Sequence, residues 1–271
     1  MGLRMTHAET FRRLHDGPRL LQLANCWDAG SARLIESLGA PALATTSAGV
    51  AWAQGYPDGD ALPVALLVAT VRAVTRVSSV PLSVDLESGY SHDPRAVGTA
   101  VAAIVDAGAA GINLEDGGEP PELLAAKIAQ ARTAAAQAGV DLFVNARTDV
   151  YLRALAAPPR RVEETLTRAA RYRDAGADGI FVPKVVDPTE IRAIAAAAGL
   201  PLNVLAWPGL PPAAELSALG VRRLSAGSAI AVDAYRRAAT LATAFLHDGS
   251  LEPKTEHQAT YADLNALFVP R

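Results

Sequence analysis

Cysteine is almost missing from this chain: Cys26 is the only one among 271 residues. A lone thiol excludes an intrachain disulfide and a thiolate zinc cluster, and it fits a reducing, cytoplasmic setting. An excess of either charge is missing too. Twenty-five Lys and Arg stand against 28 Asp and Glu, a net charge of −3. Without a basic field the chain has no electrostatic means of gathering nucleic acid or an anionic membrane surface, so neither is expected as a partner. Long apolar runs are absent as well. The longest, Leu62 to Val71, falls far short of the roughly 20 residues of a membrane span. The first 13 residues carry Arg4, Glu9, Arg12 and Arg13 and hold no apolar signal-peptide core.

What the chain does have is alternation. Six helical segments hand over to a strand through glycine, at Gly39, Gly108, Gly139, Gly176, Gly199 and Gly220, the residue that closes a last helical turn most easily. Between and around them eight mostly apolar runs predict strands at about 20–25, 42–46, 82–85, 111–115, 142–147, 179–183, 202–206 and 222–226, as parallel strands covered on both faces require. In 94–107, Val97, Val101, Ile104 and Val105 recur at helical spacing and predict one buried stripe. Asp93-Pro94 and Asp187-Pro188 look like helix starts. The expected fold is a single (β/α)8 TIM barrel spanning 1–271. A helix at 6–17 capped by Thr6 precedes it, and a long final helix at 227–247 follows. An open doubly wound sheet competes, but it calls for a Gly-rich phosphate turn after the first strand, and Leu23 to Asp28 has none.

In such a barrel the C-terminal strand ends carry the chemistry, and here they are acidic. Asp85 and Glu87 follow the third strand, Glu115-Asp116 the fourth, and Arg147 and Asp149 the fifth, while the loop after the second strand supplies Asp58 and Asp60. Carboxylates gathered at one mouth repel, and a divalent cation removes that penalty. Oxygen donors without His or Cys suit Mg2+ or Mn2+. Asp85 is expected to touch the ion, with Glu87, Glu115 and Asp58 in support. Plainer readings stand beside these. Asp28 reads equally as a helix cap, Asp149 as a surface acid or cap, Glu87 as a solvated side chain, and Cys26 as an inert small hydrophobe. Arg147 either neutralises Glu115 or forks onto a substrate carboxylate. Lys184 is either a Schiff-base lysine or an ion-pair partner. Trp52 and Trp207 belong either to the mouth or to ordinary packing.

The ordered motifs Thr45-Thr46-Ser47-Ala48-Gly49, Gly55-Tyr56-Pro57-Asp58, Asp85-Leu86-Glu87-Ser88-Gly89-Tyr90, Asn113-Leu114-Glu115-Asp116 and Asn145-Ala146-Arg147-Thr148-Asp149 resemble the isocitrate lyase/phosphoenolpyruvate mutase superfamily over about residues 18–245. The resemblance implies a Mg2+-dependent barrel acting on a small carboxylate substrate, an α-keto acid or 2-hydroxy polycarboxylate, through an enolpyruvate-like intermediate. It implies that Asp85 contacts the metal and that Glu87, standing where the family usually has Asp, holds a metal water together with Glu115 and Asp58. Ser47 and the backbone of Ala48 would take the substrate carboxylate and Arg147 the substrate oxygens. Thr46, Trp27 and Asn203 complete the substrate-binding candidates. Arg147, Glu115 and Asp58 are the catalytic ones. It also implies a homo-oligomer, a dimer or a tetramer with exchanged C-terminal helices.

The departures bear on function. The family's lyases carry a Lys-Lys/Arg-Cys-Gly-His loop after the fourth strand. Here Glu115 to Leu123 has neither Cys nor His, although Gly117-Gly118 would allow a small mobile lid. The mutases' loop is absent too, and Pro183 stands about where they place a His. Isocitrate-type cleavage and orthodox phosphoryl migration are therefore disfavoured. Three functions follow: a Mg2+-dependent lyase, decarboxylase or hydrolase of a 2-keto acid; a phosphonomutase with substituted loop residues; or a catalytically retired metabolite-binding barrel.

Overall fold

The computed structural model describes residues 5–251 and Leu267. Helix α1 (His7–Asp16) opens the fold. The Thr6 hydroxyl accepts from the Glu9 amide, and the Glu9 carboxylate accepts from the Thr6 amide, so two otherwise orphaned donors are satisfied at once. The strands follow as β1 (Leu21–Leu23), β2 (Asn25–Cys26), β3 (Leu43–Thr45), β4 (Leu82–Asp85), β5 (Gly111–Glu115), β6 (Phe143–Arg147), β7 (Gly179–Val182), β8 (Leu202–Leu205) and β9 (Val221–Ser225). All pairings are parallel, in the order β1-β9-β8-β7-β6-β5-β4-β3-β2. The first expected strand is thus two pieces divided at Ala24. Barrel strands are tilted, and the lower piece pairs with the last strand while the upper piece pairs with β3. Only Ala24 separates β1 from β2, so the ring closes through the chain itself.

The helices between strands are α2 (Ala29–Ser37), α3 (Ser47–Ala53), α4 (Val64–Val77), α5 (Pro94–Asp106), α6 (Pro121–Gln137), α7 (Arg161–Asp174), α8 (Pro188–Ala197) and α9 (Ala213–Ala218), and α10 (Ala229–Asp248) ends the series. The stripe expected on α5 is buried, with Val97, Val101 and Ile104 fully enclosed. Asp93 and Asp187 cap their helices, and Asp28 caps α2 by accepting from Ser31 N. All six handover glycines take positive φ. Helix α3 is an addition to the predicted elements; at seven residues its apolar period is too short to stand out.

One end of the barrel is plugged. Phe11 of α1 is fully buried and packs with Leu21, Leu23, Ala42, Ala44, Ala110 and Phe143. Gly111 makes room for it, since a Cβ there would lie 2.8 Å from the Phe11 ring. The C-terminal strand ends form the other mouth. Among the described residues no helix is long and apolar enough to cross a membrane.

Candidate active site

Three neighbouring strands end in charge at this mouth: β4 in Asp85, β5 in Glu115 and β6 in Arg147, with Glu115 and Arg147 in register. Arg147 Nη1 lies 2.6 Å from Glu115 Oε2. Its Nε and Nη2 donate to the two oxygens of Asp149 at 2.7 and 3.1 Å. Asp149 is fully buried and takes Arg153 as a second partner, which corrects the expectation of a surface acid or cap. Its amide donates to Asp116, which is itself buried and also accepts from Arg168 and Tyr172. That pins the first residue of the loop after β5, so any lid there is confined to 117–120. Nothing in the spacing of Asp116 and Asp149 marks either as an interior anchor; only their contacts do.

Asp85 lies within 3.4 Å of the Ser47 and Glu87 amides, and its own amide donates to Thr45 Oγ1. Burial pushes its carboxyl above the usual carboxylate range against the pull of Arg147, and Asp58 adds repulsion. Glu115 is pushed up to about 8. Burial leads, Arg147 opposes, and Asp85, Asp149 and Glu87 repel. The mouth therefore lacks positive charge. A folded-state value near 8 against an ordinary 4.5 means that the folded chain holds a proton which the unfolded chain releases. This contribution is complete below pH 4.5 and is lost as the pH rises through about 8. Metal-free protein is expected to melt at falling temperature across that window, and Glu115→Gln to flatten the fall. A calorimetric pH series checks this.

Asp58 is exposed on the loop between α3 and α4, and it repels both Asp85 and Glu87. Glu87 is not solvated: it is buried, and its side chain accepts from the amides of Gly59 and Asp60. Thr46, Ser47 and Ala48 lie at the start of α3, whose first-turn amides have no intrahelical acceptor. The helix sits directly on its neighbours, since a Cβ on Gly49 would lie 2.8 Å from Thr46 Cγ2 and from Trp27 Cβ. Asn203 faces the barrel interior, is 1% exposed, and accepts from Ser225 Oγ, so it joins a buried polar network, while its Nδ2 has no partner among the described residues. In that network Arg223, also buried, donates to Ser225 Oγ and to Asn113 Oδ1, which Asn145 shares. The one available signal was Arg222-Arg223 interrupting an otherwise apolar strand, because strand alternation turns one of the two inward.

Lys184 is exposed with its ammonium 6.0 Å from the Trp207 ring. Among the described residues no carboxylate stands within ion-pair distance of it. Trp207 and Trp52 are themselves exposed, against ordinary burial. Cys26 is fully buried and its thiol is raised to about 12 by burial, as an inert side chain should be.

Among the described residues no three His, Cys, Asp or Glu side chains are grouped to hold a metal ion. A cation at this mouth would take one or two carboxylates directly and the rest through water, which is the habit of Mg2+. The donor set, all oxygen and short of positive charge, fits such an ion.

The model of the phosphoenolpyruvate phosphomutase family matches residues 11–246. An oxaloacetate decarboxylase of Paraburkholderia xenovorans is 33% identical over 237 residues, 83% of this chain and 76% of that protein. A Burkholderia cenocepacia J2315 protein, solved as a candidate phosphonomutase, is 44% identical with a TM-score of 0.83, covering 88% of this chain and 99% of the other. The fold also matches a phosphonopyruvate hydrolase solved with oxalate and Mg2+, with a TM-score of 0.83, 24% identity, and 97% and 95% of the two chains covered. Barrel, strand-end motifs and family match agree: the chain belongs to the phosphoenolpyruvate phosphomutase family, within the isocitrate lyase/phosphoenolpyruvate mutase superfamily.

Proposed function

We propose that this chain is a divalent-metal-dependent lyase or hydrolase that breaks a C–C or P–C bond on the carbon next to the carbonyl of a small 2-keto acid, with water taking the phosphoryl group in the P–C case, and that oxaloacetate decarboxylation is the reaction to try first. The carrying observation is the meeting of Asp85 and Glu115 at one mouth with more buried negative charge than Arg147 offsets. Asp85 and Glu115 would hold Mg2+ or Mn2+, with Asp58 reaching in from its loop. Such an ion, when bound, polarises a keto acid's carbonyl and stabilises the charge left when the neighbouring bond breaks. Arg147 is clamped along one edge by Asp149 and at Nη1 by Glu115. Of its five N–H groups two remain for a substrate carboxylate, and the clamp fixes their direction. The Ser47 hydroxyl and the Ala48 amide offer a second carboxylate contact. The short loop after β5 carries neither Cys nor His, so the proton that replaces the departing group comes from water.

Purified protein with Mg2+ should release pyruvate from oxaloacetate and lose that activity in excess chelator. No pyruvate from oxaloacetate, phosphonopyruvate or substituted malates would overturn the reading. Similarity to the candidate phosphonomutase favours a second one, P–C rearrangement, which phosphorus NMR would reveal as phosphoenolpyruvate formed from phosphonopyruvate.

We also assign α10 to subunit contact in a homo-oligomer. Of its 20 residues only Ala231 is buried, and Tyr235, Phe245 and Leu246 are exposed. Sedimentation should show a species larger than the 28.1 kDa chain, and Leu246→Glu should shift it toward the monomer.

A further inference from the structure

The loop carrying Asp58 and the turn after β4 are locked together. Glu87 Oε2 accepts from the amides of Gly59 at 2.8 Å and Asp60 at 2.5 Å, and Oε1 accepts from Tyr90 Oη at 2.8 Å. Asp60 returns the grip, its carboxylate accepting from Ser88 Oγ and from the Tyr90 amide. From beneath, Lys127, buried to 2% exposure, donates to the Ser88 carbonyl at 2.7 Å. Asp60, Glu87 and Tyr90 all hold left-handed backbone, at φ of 58, 50 and 58°. Non-glycine residues adopt that region at a cost and keep it only where surrounding contacts enforce it. Three such residues at one junction mark a built feature.

A carboxylate offers about four lone-pair sites, and Glu87 has given three of them to protein donors. The Glu side chain, one methylene longer than Asp, spans from the end of β4 to the loop. We propose that Glu87 is a positioning residue: it latches the 57–60 loop over the mouth and so sets the place of Asp58, and it does not serve a metal's hydration shell. The consequence for the site rests on the metal-dependent reading above, whereas the latch itself is a property of the metal-free chain.

Hydrogen–deuterium exchange without metal tests it on wild type, Glu87→Ala and Glu87→Gln. Loss of two amide bonds to a charged acceptor should speed exchange in the 55–62 segment of Glu87→Ala by at least about tenfold. Glu87→Gln, which keeps an acceptor oxygen, should stay closer to wild type and guards against a failure of the Ala variant to fold. Mg2+ titration of Glu87→Gln separates the roles. A latch predicts affinity reduced by less than the roughly tenfold that loss of an outer-sphere partner costs. Unchanged exchange in Glu87→Ala, or a tenfold or greater loss of Mg2+ affinity in Glu87→Gln with the loop still protected, would overturn the proposal. If Asp85→Asn binds Mg2+ normally, the metal reading fails while the latch stands.

Discussion

Asp85→Asn is expected to lower kcat/KM for the 2-keto acid by about a thousandfold or more, close to 4 kcal/mol of transition-state stabilisation. Asp85 ends β4 with its side chain facing Ser47 and Arg147, and the change to an amide removes charge while keeping shape. The folded chain should not suffer. Burial already holds that carboxyl above the usual range, so a neutral group relieves repulsion from Glu115 and Asp58. Metal-free Asp85→Asn is therefore expected to melt no lower than wild type while losing turnover. Steady-state kinetics beside calorimetry read both. A variant that kept its activity would remove Asp85 from the chemistry, and one that merely unfolded would mark it as structural.

Arg147→Ala should act in the opposite way, on fold and activity together. The guanidinium is the shared partner of Glu115 and Asp149, whose side chains are 13% and 0% exposed. Breaking a buried ion pair by deleting one member costs about 3–5 kcal/mol, because the other charge stays buried. Glu115, already pushed up to about 8, can take up a proton when the guanidinium goes, and Arg153 still reaches Asp149, so the loss is expected at the lower end of that range. Arg147→Lys keeps the charge but cannot reproduce the side-on fork to Asp149. It should recover much of the stability and little of the turnover, with KM raised. Urea unfolding and kinetics of the pair of variants separate the two effects. If Arg147→Lys were as active as wild type, the directed fork would have no part in substrate binding.

The barrel was legible because its signals are local and repeated. Glycine handovers, proline-led helix starts and apolar runs each state a rule of short range, and the expected strands 82–85 and 111–115 match β4 and β5 residue for residue. The convergence of Asp85, Glu115 and Arg147 was legible for the same reason, since a barrel puts every strand end at one mouth. Asp149 and Asn203 were not. Their surroundings are set by Arg147 and Arg153 in one case and by Ser225 in the other, contacts whose geometry no residue spacing encodes. Glu87 lay between. Its place beside Asp85 could be read, but the direction of its side chain depends on a left-handed backbone and on amides 27 and 28 positions earlier.

Counting Mn2+ bound per chain by electron paramagnetic resonance, with oxalate present, probes the shared cation at its source. One ion per wild-type chain is expected, and none at the same concentrations when Asp85→Asn and Glu115→Gln are combined in a protein shown to be folded. Undiminished binding by that folded double variant would mean that these two carboxylates do not meet around a cation.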